Sequence, residues 1–153
     1  MRKEVAALQR KNYDKIRYIR RYADLRKKER ELQQELKTIQ EEYDSLQAVT
    51  CDNAPVSPGT IRDLSDFIMR KDAQVSKAIR DLNIVIDLYQ EIAGAVQRVE
   101  DLQEQEVLRL KHMKRWGWER VAESMGYSVR QAQRIHGRAL EHFRIPERKD
   151  ANT

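Results

Sequence analysis

The stretch Trp118-Glu-Arg-Val-Ala-Glu-Ser-Met-Gly-Tyr-Ser-Val-Arg-Gln-Ala-Gln-Arg-Ile-His-Gly-Arg138 has the order of a helix-turn-helix. Ala122 stands four residues before Gly126, where two crossing helices need a small side chain, and Gly126 suits the positive φ of a tight turn. Tyr127 then plugs the core, and Ser128 is a good N-cap for a helix running from Val129 to about Phe143. Val121, Met125, Tyr127, Ala132 and Ile135 fall on the inward positions of such a motif. A plain helical pair in a bundle gives no reason for Ala122 and Gly126 at that spacing.

Once the inward positions are removed, Ser128, Val129, Arg130, Gln133, Arg134, Gly137 and Arg138 face outward. Arginine and glutamine suit bidentate reading of guanine and adenine edges, so Ser128, Val129, Arg130, Gln133 and Arg134 are the expected base-reading residues. Lys111, Lys114, Arg115, Arg120 and Arg138 are the expected phosphate contacts, which position a protein without reading sequence. Taken singly, each is also an ordinary surface residue. Gly137 in mid-helix costs roughly 1 kcal/mol against alanine. Close approach of another backbone explains it, and so does a mild structural accident.

Ahead of this motif, Glu106-Val-Leu-Arg-Leu-Lys-His-Met113 reads as a short amphipathic helix that Gly117 ends. Before Asp101 the chain is heptad-patterned. Ile61, Leu64, Ile68, Lys71, Val75, Ala78, Leu82, Val85, Tyr89, Ile92, Val96 and Val99 alternate in steps of three and four, with Lys71 as the charged exception. Ile79, Ile86 and Ala93 widen the stripe. Thr60 is the expected N-cap, with Asp63 and Asp66 in the first turns, where the helix dipole favours negative charge.

Leu25, Leu32, Leu36, Ile39, Tyr43 and Leu46 repeat the spacing on an earlier helix, interrupted by Glu29. Further upstream the seam shifts to Val5, Leu8, Asn12, Ile16 and Ile19, as at a stutter. The segment Thr50-Cys-Asp-Asn-Ala-Pro-Val-Ser-Pro-Gly-Thr60 is the one clear break. The expected fold is all-α: helices over about 3–48 and 61–100 folded into an antiparallel hairpin, a three-helix module over 101–145, and a disordered tail over 146–153. An oligomer through the same seams is the competing geometry for the long helices.

Charge is distributed in blocks. Residues 1–30 hold twelve Lys/Arg against four Asp/Glu, residues 31–106 seven against sixteen, and residues 107–153 eleven against five. Basic ends flank an acidic middle, and a hairpin folded near residue 55 brings the two basic ends together. Such blocks are the footprint of a polyanion binder. Deleting residues 1–20 is therefore expected to weaken DNA binding.

The module over about 99–143 resembles the fourth conserved region of bacterial RNA polymerase sigma factors. Gln105-Glu-Val-Leu-Arg-Leu110, Trp118 through Gly126, Ser128 opening the next helix and His136-Gly-Arg-Ala-Leu140 closing it carry the resemblance. The Tyr127-Ser-Val-Arg130 turn with that closing segment is especially similar to sigma-factor-like or ArpU-like late regulators of phages and prophages. The resemblance implies binding of promoter DNA and contact with RNA polymerase. It covers about a third of the chain. No aromatic-rich region for a melted promoter strand precedes residue 100, so promoter opening by this chain alone is not expected. Tyr13, Tyr18 and Tyr22 lie among Arg17, Arg20 and Arg21 and suit either single-strand stacking or, more simply, heptad packing.

Other chemistry finds little footing. His112, His136 and His142 lack ligand spacing with Cys51 or with one another, and neither a glycine-rich phosphate loop nor a nucleophile elbow is present. No catalysis, cofactor or metal is expected. With no signal segment, no spanning apolar run and a single cysteine, the expectation is a cytoplasmic protein of a bacterial host, without membrane partners. Three functions fit: a phage-type regulator binding double-stranded DNA, a ring-forming terminase-like packaging component, and a coiled-coil protein adaptor. Homo-oligomerisation through the coiled coil is compatible with each.

Overall fold

The computed structural model describes residues 1–50, 55 and 57–147, and every regular element among them is a helix. Of the break expected at 50–60, residues 51–54 and 56, with Cys51, lie outside the described residues; so do residues 148–153 of the expected tail. Helix α1 spans Arg2–Thr50 and α2 spans Pro58–Gln97. No glycine or proline interrupts α1, and its many Glu, Lys, Arg, Gln and Leu residues are strong helix formers. Pro58 opens α2, where its fixed φ is helical already and its missing N–H would have no partner anyway. Thr60 therefore lies inside the first turn instead of capping it. Ser57 precedes the proline, and its carbonyl accepts from the Ile61 N–H at 3.2 Å.

Three short helices follow. Helix α3, Leu102–Leu108, is capped by the Asp101 side chain, which accepts from the Gln103 and Glu104 N–H groups. It runs on into a π-helical turn at Arg109–Met113, followed by α4 (Trp118–Met125) and α5 (Val129–His142). The stop expected at Gly117 falls elsewhere. Arg115 takes the left-handed conformation, at φ 57°, while Gly117 is the extended N-cap of α4. A left-handed non-glycine residue costs roughly 1–2 kcal/mol. Two contacts offset it: the Arg115 guanidinium donates to Asp24 at 2.9 Å and to the Arg20 carbonyl at 3.1 Å.

The chain divides into two compact units, Met1–Arg26 with the described residues from Asp87 onward, and Lys27–Ile86. In the second, Leu32 and Ile39 of α1 and Ala78 and Val85 of α2 are buried. Lys71, the charged residue within the apolar spacing, forms an ion pair with Glu42, and its side chain is only 18% exposed. Beside it the Tyr43 hydroxyl donates to Asp72 at 2.6 Å.

The first unit has a core drawn from all five helices. Val107, Leu108, Val121, Ala132 and Ala139 are completely or almost completely buried, as is Phe143, which follows α5. Val96 at the end of α2 and Val99 just after it join them, and so does Ile19 of α1. Tyr18 packs on Phe143 with ring centroids 6.1 Å apart, and Tyr22 meets Tyr89 edge-on at 5.8 Å. Two of the three N-terminal tyrosines are thus packing residues, while Tyr13 is exposed. No described helix is long and apolar enough to cross a membrane.

Candidate nucleic-acid interface

The local sequence sets the placement of α5 closely. Gly126 takes φ 71°, and the Tyr127 N–H then reaches back to the Ala122 carbonyl at 2.9 Å, ending α4. Ser128 starts α5 with a capping box: its hydroxyl accepts from the Gln131 N–H at 3.2 Å, and the Gln131 side chain accepts from the Ser128 N–H at 3.0 Å. Ala132, Ile135, Ala139 and Leu140 bury one face of α5. The opposite face presents Arg130, Gln133, Arg134, Gly137 and Arg138 to solvent.

These outward residues differ in how they are engaged. Among the described residues, Arg130, Gln133 and Arg134 make no hydrogen bond or ion pair. Ser128 is exposed, but its oxygen is committed to the cap, and Val129 is half-buried against the core. Arg138 lies 3.9 Å from the buried Glu104, which also holds His142 at 2.7 Å. A Cβ built on Gly137 would meet nothing within 4 Å. No packing among the described residues therefore requires glycine there.

Of the expected phosphate residues, Lys111, Lys114, Arg115 and Arg120 lie around the start of α4, whereas Arg138 lies on α5. Trp116 is flanked by Arg120, at 3.8 Å from its ring centroid, and by Lys114 at 5.0 Å. Lys111 lies 4.6 Å from the centre of the Trp118 ring and donates to the Trp116 carbonyl at 3.2 Å. Burial, followed by the nearby positive charge of Arg20, holds the Lys111 amine below the usual lysine range. Arg115 is tied to Asp24. Lys114 and Arg120 are exposed, their charges stacked on an aromatic face and engaged by no carboxylate among the described residues.

Several residues that hold this surface in place escaped the sequence reading. The Arg20 Nε donates to His112 Nδ1 at 3.3 Å, and His112 Nε2 lies 2.7 Å from His136 Nε2. The donated bond at Nδ1 assigns the neutral His112 proton to Nε2, so His136 accepts and keeps its own proton on Nδ1. Trp118 packs edge-on against His136 at 5.1 Å. Burial, the neighbouring imidazole and the cations Arg20 and Lys111 push His112 down to about 3. Burial and the same two cations push His136 down to about 4. Lys15 donates to the Leu140 carbonyl at 2.5 Å, satisfying an acceptor in the last turn of α5. No spacing rule links Lys15 or Arg20 to residues more than ninety positions away; only the shared apolar phase of Ile16 and Ile19 hinted that this part of α1 packs on something.

Among the described residues no group of three or more His, Cys, Asp or Glu side chains is arranged to hold a metal ion. Comparison with protein-family models, curated proteins and solved structures gives no match.

Proposed function

We propose that this protein is a sequence-specific double-stranded DNA-binding protein acting as a transcription regulator of the phage type. In this reading α4, the Gly126 turn and α5 form a helix-turn-helix, carried on a helical hairpin made by α1 and α2. Arg130, Gln133 and Arg134 read base edges in the major groove. Lys114 and Arg120, with the start of α4, grip the flanking backbone. Ser128 shapes the entry of α5, and Val129 contributes an apolar edge.

The observation that carries the proposal is the exposed face of α5. Its three reading side chains have no partner within the described chain, and they surround a glycine that no packing among the described residues requires. The resemblance of residues 99–143 to sigma region four supports the same reading and extends it to contact with RNA polymerase. Selection from a random duplex pool by the full-length protein tests it. Enrichment of one recurring motif is the expected result. Recovery of fragments indistinguishable from the input contradicts sequence reading and favours the adaptor.

A further inference from the structure

The apolar stripe of α2 is wider than one partner helix can cover. At about 100° per residue, Ile61, Ile68, Ile79 and Ile86 fall within about 20° of one another, on a ridge roughly 80–100° around the helix from buried Ala78. Ile61 is 57% exposed, Ile68 38% and Ile79 45%, and Ile86 is half-buried. Beyond the ridge stand Ser65, Asp72, Ser76 and Asn83, of which only Asp72 is charged, and its carboxylate already accepts from Tyr43. The other flank, towards buried Ala78, holds Leu64, Val75 and Leu82 with Lys71, whereas Asp63, Asp66, Arg70 and Lys77 lie on the far side of the helix. In a chain that is 36% charged, a strip of this length whose only charges, Lys71 and Asp72, are internally bonded is unusual.

We infer that this ridge is the contact surface of a two-fold symmetric dimer, in which α2 packs antiparallel on α2 of a second copy. The spacing of the four isoleucines is seven, eleven and seven residues, the same read in either direction. A two-fold axis midway between Ile68 and Ile79 sets Ile61 against Ile86 of the second copy and Ile68 against its Ile79. This is the self-complementarity an isologous interface requires, residue i meeting j while j meets i. Nucleic acid does not match an uncharged isoleucine ridge, and a strongly charged peptide finds no complement there. A strip one helix wide lies at the low end of specific interface areas, the range of weak, reversible association. The inference stands independently of DNA reading.

Sedimentation velocity of the full-length protein tests the association, and cysteine pairing tests the register. A concentration-dependent dimer is expected, with Ile68→Gln and Ile79→Gln together weakening it about tenfold or more at unchanged helix content. In a Cys51→Ser background, Ile61→Cys and Ile86→Cys proteins should form a disulfide when mixed under mild oxidation and little when kept apart. A monomer at about 100 μM, a ring of many copies, a dimer indifferent to the double substitution, or cross-linking of either cysteine variant with itself overturns the inference.

Discussion

At the residue scale the account depends on a few side chains of α5 whose roles separate cleanly. Arg130→Ala or Arg134→Ala should cost about 1–3 kcal/mol on the selected duplex and much less on random DNA. Fluorescence anisotropy on both duplexes checks this, and equal losses on both would reassign these arginines to phosphates. Gly137→Ala separates folding from binding. The exposed Cβ meets nothing within 4 Å, so the substitution should raise stability by up to about 1 kcal/mol in a thermal melt. On selected DNA the same variant should bind more weakly, because its methyl stands where the groove wall approaches. A stabilised variant with unchanged affinity would mark Gly137 as a structural accident. The turn residues Ala122, Gly126 and Ser128 were legible in the sequence because turn and cap chemistry is local. Arg115 was not: its left-handed backbone is held by Asp24 and Arg20, which are distant in sequence.

At the element scale the two long helices lie within a few residues of the ranges that the apolar spacing and the break predict, since periodicity and breakers act over short windows. The partners of α5 were less legible. Ile19, Lys15 and Arg20 of α1 all meet the C-terminal helices, so removing residues 1–20 takes a core residue as well as basic charge. The His112–His136 pair is the most sensitive part of this junction. Both imidazoles are held neutral, well below the 6.5 of a free histidine, so the unfolded chain binds more protons than the folded one as pH falls. Their contribution is fully present above about pH 6.5 and is lost progressively as pH drops towards about 4 for His136 and about 3 for His112. The melting temperature should fall between pH 7.5 and pH 5, and His136→Gln should shrink that fall, starting from a lower value at neutral pH. A fall of the same size in the variant would place the titration elsewhere.

At the scale of the whole molecule, the charge blocks and the compact units overlap only in part: the end of the acidic middle, residues 87–106, falls in the first unit, and the basic residues 27–30 fall in the second. The first unit holds Met1–Arg26 with the described residues from Asp87 onward, so basic residues from both ends of the sequence share one unit with α5. The sequence signalled that meeting through charge and a single break, but could not say which helices share a core, because α1 packs across a span of more than ninety residues. Bound to DNA as proposed, this unit should release several counterions. The most direct test is the affinity of the full-length protein for its selected duplex and for a scrambled one, titrated from about 50 to 200 mM salt. The account predicts a steep linear fall of log affinity with log salt on both, with a slope of about −4 to −6 for roughly five to six phosphates, and a selected duplex bound at least about a thousandfold tighter throughout. No measurable binding at 50 mM salt, or equal affinity for the two duplexes, contradicts it.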